Sequence, residues 1–125
     1  GHSVSFVGNV HEGPHALNGR NTTLMRPGMI VTDEPGVYET DLVGIRIENE
    51  LVCVHKADNQ YGTFLGFEPI MFVPIATSPI VPGVLTKDEL DWLNNYHRQV
   101  FEKLAPRLND EEREWLAKKC AAIGC

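Results

Sequence analysis

Long apolar runs are missing from this chain of 125 residues, as is any pattern of a secretion signal, so no membrane span and no export leader are expected. Basic charge is scarce: 11 Lys and Arg stand against 17 Asp and Glu, for a formal net charge of −6. That balance excludes a nucleic-acid surface, which needs a basic stripe. Cysteine is sparse and odd in number (Cys53, Cys120 and Cys125), so no disulfide framework is expected and a reducing cytoplasm fits. Cys53 reads as a small core residue and the tail pair as incidental. Internal repeats and low-complexity tracts are absent too. With 42% hydrophobic residues, what remains is enough for one domain with a modest core.

What the chain does hold is a pair of carboxylates inside apolar surroundings. Glu34 follows Ile30 and Val31 at a Glu34-Pro35-Gly36 break, and Glu48 sits among Ile45, Ile47, Leu51, Val52 and Val54. A carboxylate buried without a partner is costly enough to be protonated, paired or bound to a metal. Upstream, His2 and His11 lie nine positions apart. Two Glu and two His without clustered Cys suggest an oxygen-rich metal centre. Taken singly, each has a plainer reading. Glu34 could be a turn residue, Glu48 could pair with Arg46 two positions away, and a lone histidine such as His11 needs no ligand. His15, His55 and His97 read as surface or helix-face residues.

Taken in order, residues 4–10 read as a strand from His2 towards His11, with Gly8 as a candidate bend that would let both histidines face one pocket. Residues 12–26 read as loop, and 29–33 as a second strand. Proline removes a ladder donor and glycine frees the backbone, which places Glu34 at the strand's end. Residues 37–39 extend it, 40–43 turn, and 44–54 read as one long strand with Glu48 in its middle and Ile45, Ile47 and Val52 as core candidates. Another strand is expected over 63–73. Its Phe64, Phe67 and Phe72, together with Trp92 and Trp115, read as core aromatics, while Glu68 suggests no role.

Thr86-Lys87-Asp88-Glu89 is a capping box, and Leu90, Leu93, Tyr96, His97, Val100, Phe101 and Leu104 follow at helical spacing up to Pro106. Asn109 to Glu112 repeats the start signal for a shorter helix. Strands first and helices last predict an α+β fold with a mainly antiparallel sheet and two C-terminal helices. The division expected is sheet and loops over 1–83 and a helical tail over 84–125.

Several strings now combine: Gly1-His2 with Asn9-Val10-His11-Glu12-Gly13-Pro14, Asp33-Glu34-Pro35-Gly36, Arg46-Ile47-Glu48-Asn49, Gly66-Phe67-Glu68-Pro69 with Val73-Pro74-Ile75, and Trp92-Leu93-Asn94-Asn95-Tyr96-His97. In this order and separation they resemble the metal-dependent Xaa-Pro aminopeptidases (aminopeptidase P) of the creatinase/methionine-aminopeptidase "pita-bread" superfamily. The resemblance runs over nearly the whole chain. It implies the C-terminal half of a pita-bread catalytic domain, with a curved sheet, cut from a longer protein whose two metal-binding aspartates lie upstream.

Carried over residue by residue, the resemblance makes His2, Glu34 and Glu48 ligands of two divalent ions, Glu48 bridging them. The metal implied is manganese, sometimes cobalt or zinc. His11 becomes the histidine near the scissile carbonyl, catalytic together with Glu34, and Tyr38 and Arg46 become supporting residues behind the ligands. Ser3 and Ser5 depart from the glycines the family usually carries after the ligand histidine. The activity implied for the parent is release of the N-terminal residue from peptides with proline second, in the cytoplasm and as a homodimer. This piece alone is expected to be inactive and to self-associate through uncovered apolar faces. The alternatives are a non-catalytic peptide- or protein-binding module on the same fold, and a prolidase confined to dipeptides.

Overall fold

A computed structural model describes residues 1–124; Cys125, half of the expected tail pair, lies outside the described residues. The chain divides into two compact units, Gly1–Met71 and the residues from Phe72 onward. In the first, strands β1 (Ile30–Asp33), β2 (Gly36–Glu39), β3 (Val43–Arg46), β4 (Asn49–Asn59) and β5 (Gly62–Pro69) follow one another. All pairings are antiparallel: β1, β4 and β5 form a three-stranded sheet in that order, and β2 with β3 forms a separate hairpin. The second unit carries α1 (Lys87–Leu104), a 3-10 turn (Ala105–Arg107) and α2 (Asp110–Lys119). Antiparallel sheet followed by two helices is the architecture expected.

The two sheets share one register. Asp33 lies opposite Asn49 where β1 meets β4, and Gly36 opposite Arg46 where β2 meets β3. Between them the Ile47 amide donates to the Pro35 carbonyl at 3.2 Å, so the pairing continues through the kink and Glu34 falls opposite Glu48. This corrects the single strand expected over 44–54. Proline at 35 offers no N–H to the facing chain, so the ladder fails there and Ile47-Glu48 leaves the strand on the other side. Glu48 is accordingly exposed and not embedded in a strand. Ile45 and Ile47, expected in the core, are half exposed, because neither face of the β2–β3 hairpin is covered.

Residues 4–10 form no strand either. The Ser5 amide donates to the Asn9 carbonyl, the Gly8 amide to Ser5 Oγ at 2.8 Å, and the Asn9 amide to Glu12 Oε2 at 2.9 Å. These bonds fold the segment into a closed loop with Gly8 in its bend, where a side chain would press on Ser5 and Glu12. Phe6 and Val7 stand out in solvent. The expected strand over 63–73 stops at Pro69.

The core of the helical unit is Tyr96, Val100 and Leu116, with Phe72, Ile75, Phe101, Leu104 and Leu108 packed around it. Both helices start on the expected signals. The Thr86 side chain accepts from the Glu89 amide while the Glu89 carboxylate accepts from the Thr86 amide, and Asn109 with Glu112 repeats the arrangement. Of the aromatics expected inside, Phe72 packs on this core, whereas Phe64, Phe67, Trp92 and Trp115 are substantially exposed. Most of β5 is exposed, and α2 buries little beyond Leu116. His97 is the reverse case: it is wholly buried, and its Nε2 accepts the Ile75 amide at 3.1 Å. Burial pushes its pKa below the ordinary value.

Candidate metal centre

The loop from His2 to Glu12 explains how two histidines nine positions apart reach one place. The Glu12 amide donates to the Ser3 carbonyl at 3.1 Å, closing the loop. The rings of His2 and His11 then meet edge to face with centroids 4.1 Å apart. His2 is docked onto β1 by backbone: the Thr32 amide donates to the His2 carbonyl at 2.8 Å. Gly1 lies so close that a Cβ there would sit 1.8 Å from the Thr32 carbonyl oxygen. Only glycine admits this approach.

Glu34 is the hub. Its Oε1 lies 3.0 Å from His2 Nε2 and accepts the Thr32 hydroxyl at 2.9 Å. Its Oε2 accepts Arg46 at 2.6 Å, and the same guanidinium nitrogen donates to the Glu34 carbonyl at 2.7 Å. The Thr32 hydroxyl foremost, then Arg46 and His2, hold the carboxyl below the usual range for Glu. Arg46 Nε also donates to the Tyr38 hydroxyl at 2.8 Å, and that contact, followed by the charges of Glu34 and Glu48, raises the arginine's pKa. Arg46 is thus the counterion of Glu34 and also feels the charge of Glu48, which lies opposite Glu34 in register. Its direct partner is Glu34, not the Glu48 that a two-residue spacing suggests.

Could these residues hold a metal? His2 Nδ1 lies 3.0 Å from the Ser3 carbonyl, which can only accept, so Nδ1 carries a proton. In the neutral ring Nε2 then presents a lone pair straight at a carboxylate oxygen. Two acceptors 3.0 Å apart repel unless a proton or a cation lies between them. The separation equals that of two ligands at right angles on one ion with bonds of about 2.1 Å. A ligand histidine whose other nitrogen donates to a carbonyl is also the usual support for a bound metal. The donors are nitrogen and carboxylate oxygen, suited to a borderline or hard divalent ion.

The pair therefore fits, as part of a larger set. Among the described residues no three His, Cys, Asp or Glu side chains gather closely enough to hold an ion by themselves. The structure brings His2, His11, Glu34, Tyr38 and Arg46 into one chain of contacts and leaves Glu48 exposed beside it, opposite Glu34 in register.

Sequence reasoning passed over Thr32, which is 2% exposed and touches both His2 and Glu34. A Thr two positions before a Glu at a strand end shares its face, and that spacing was the available signal. The two serines that depart from the expected glycines behave differently. Ser5 Oγ holds the Gly8 turn, while Ser3 Oγ is buried with no hydrogen-bond partner among the described residues. His15 is half-buried and donates to the Ile30 carbonyl, His55 pairs with Asp58, and Glu68 pairs with Lys56.

Comparison with known proteins shows the family of the chain. The family model described as metallopeptidase family M24 matches residues 1–55, and that described as the C-terminal region of peptidase M24 matches residues 63–123. "Aminopeptidase P2" of Arabidopsis thaliana is 46% identical over 123 residues, covering 93% of this chain and 17% of its own length. A "Probable Xaa-Pro aminopeptidase P" of Coprinopsis cinerea is 40% identical over 131 residues, with 98% and 21% covered. An X-prolyl aminopeptidase crystal structure from Caenorhabditis elegans superposes with a TM-score of 0.81 at 37% identity. It covers 98% of this chain and 21% of its own, and is described as a cytosolic enzyme with a di-nuclear active site. This chain thus spans about a fifth of the length of the relatives it matches.

Proposed function

The chain belongs to the M24 metallopeptidase family, on its aminopeptidase P branch, and from that premise we propose that the whole protein releases the N-terminal residue from peptides with proline in second position. His2 and Glu34 would hold a divalent ion, and Glu48, opposite Glu34 in register, would supply a further carboxylate to the metal centre. Bound there, two divalent ions supply Lewis acidity to the scissile carbonyl and make a water nucleophilic near neutral pH. Manganese is the metal proposed, in keeping with the hard carboxylate donors.

Around that chemistry the chain's own groups have separate tasks. The His11 imidazole, held against His2, donates a hydrogen bond to the oxygen on which negative charge develops. A Glu34 carboxylate oxygen takes the proton of the attacking water and passes it to the departing proline nitrogen. Arg46, braced by Tyr38, neutralises the facing carboxylates while they are not shared with cations. A dedicated enzyme has a physical reason, since the bond attacked is a tertiary amide with a fixed backbone angle.

The observation that carries the reading is the 3.0 Å approach of His2 Nε2 to Glu34 Oε1, with Nδ1 already committed to a carbonyl. We place the protein in the cytoplasm as a homodimer. No helix among the described residues is long and apolar enough to cross a membrane. This chain by itself lacks peptidase activity, because its donors are too few to hold two ions, and it self-associates through the uncovered β2–β3 and β5 faces.

The test is metal content and turnover of the full-length protein. About two ions per chain and cleavage of an Xaa-Pro tripeptide are expected. His2→Ala, Glu34→Gln and Glu48→Gln should each lower turnover at least about a hundredfold. A metal-free protein that binds such a peptide uncut would be a binding module, and one that cuts only dipeptides a prolidase.

A further inference from the structure

We propose that Thr32 is the positioning residue that sets the His2 and Glu34 donors at their working separation, an inference that rests on the metallopeptidase reading of that pair. Its hydroxyl accepts the His2 amide at 3.0 Å and donates to Glu34 Oε1 at 2.9 Å, and its own amide donates to the His2 carbonyl at 2.8 Å. One buried side chain therefore spans two residues thirty or more positions apart from one another in the chain.

The hydroxyl's orientation follows from its inventory of one hydrogen and two lone pairs. The His2 amide takes a lone pair. Of the two acceptors left for the hydrogen, Glu34 Oε1 is nearer than the His2 carbonyl, which lies at 3.3 Å. Oε1 is thereby held on one side by Thr32 and faces His2 Nε2 on another. Without the hydroxyl, the hydrogen bonds left to hold the carboxylate in place would be those of Arg46, which grips the other oxygen, Oε2. The aim of Oε1 at the imidazole would then be lost. The close packing of Gly1 on the Thr32 carbonyl shows how little play the His2 main chain has at this point.

The experiment compares Thr32→Val, which keeps the shape and removes the hydroxyl, with Thr32→Ser, which keeps the hydroxyl, in the full-length protein. The readout is manganese(II) affinity by calorimetric titration of metal-free material, with thermal melting to establish that each variant is folded. Thr32→Val should weaken manganese binding about ten- to a hundredfold, and Thr32→Ser should stay within about threefold of the parent. Should Thr32→Val fail to fold, Thr32→Ala is read in its place. Parent-like binding by the folded hydroxyl-free variant overturns the proposal, as does a loss in Thr32→Ser equal to that in Thr32→Val. Glu34→Gln in the same series separates the two levels. If it abolishes binding while Thr32→Val does not, only the role of Thr32 falls; if it too binds normally, the metal reading falls first.

Discussion

The strand unit and the helical unit use their interiors differently. From Phe72 onward the buried positions are mostly aliphatic or aromatic: Leu90, Leu93, Tyr96, Val100 and Leu116, with His97 as the polar exception. In Gly1–Met71 the fully buried side chains are Val31, Cys53, Ser3 and Thr32, half of them polar, while Val37, Ile45, Ile47, Phe64 and Phe67 face outward. The helical unit is held by packing. The strand unit is held by backbone ladders and by polar groups clustered where two strands kink together. The lesson is one of division: a region that must aim carboxylates and imidazoles gives up apolar interior to the residues that aim them.

That contrast can be tested position by position. Leu116→Ala should cost about 2–5 kcal/mol in chemical denaturation followed by far-ultraviolet dichroism, since it empties the centre of the helical core. Ile45→Ala, on the uncovered hairpin, should shift stability by no more than about 0.5 kcal/mol. Equal losses at the two sites would mean that the hairpin face is covered in solution. Ile45→Lys should also reduce self-association of this chain in sedimentation, and an unchanged association would place the contact elsewhere. Next in size, Thr86→Ala should remove about 1 kcal/mol by uncapping α1, seen as a lower melting temperature.

The pH dependence of the helical unit is smaller and has a definite sign. His97 has a folded-state pKa below the ordinary 6.5, because burial disfavours its charged form. Its contribution is intact above pH 6.5 and is lost as the pH falls through that value towards the lower folded pKa. Protonation would also set an N–H against the Ile75 amide. Denaturation curves at pH 7.5 and 5.5 should differ in this direction, and His97→Gln should flatten the difference. Opposite in sign, Ser3→Ala should be neutral or gain up to about 1 kcal/mol, because the Ser3 hydroxyl is buried without a partner among the described residues. A loss there would reveal a bond that the hydroxyl does make.

How much of this was legible in the chain follows from how local each cause is. The helices were, since Thr86 with Glu89 and Asn109 with Glu112 are signals four residues long. The placing of Glu34 at a strand end was legible for the same reason, through Pro35 and Gly36. The break at Ile47-Glu48 was not, because nothing between Gly44 and Val54 interrupts a strand. Its cause is the missing amide of Pro35 on the facing chain. His97 sits on the same helical face as Tyr96, yet its polarity argued for the surface, and the Ile75 amide that makes burial tolerable lies on another segment. Thr32 looked like any β-branched strand residue until His2 was set beside it. The carboxylates and histidines stood out as a group chiefly because several short strings resembled one family together.

Whether His2, Glu34 and Glu48 hold metal can be seen by anomalous diffraction at the manganese edge from crystals of the full-length protein grown with manganese. Two peaks are expected, with His2 Nε2 and Glu34 within about 2.1 Å of one of them and Glu48 shared between both. Peaks elsewhere, with Glu34 still gripped by Arg46 and Glu48 left in solvent, would contradict this assignment.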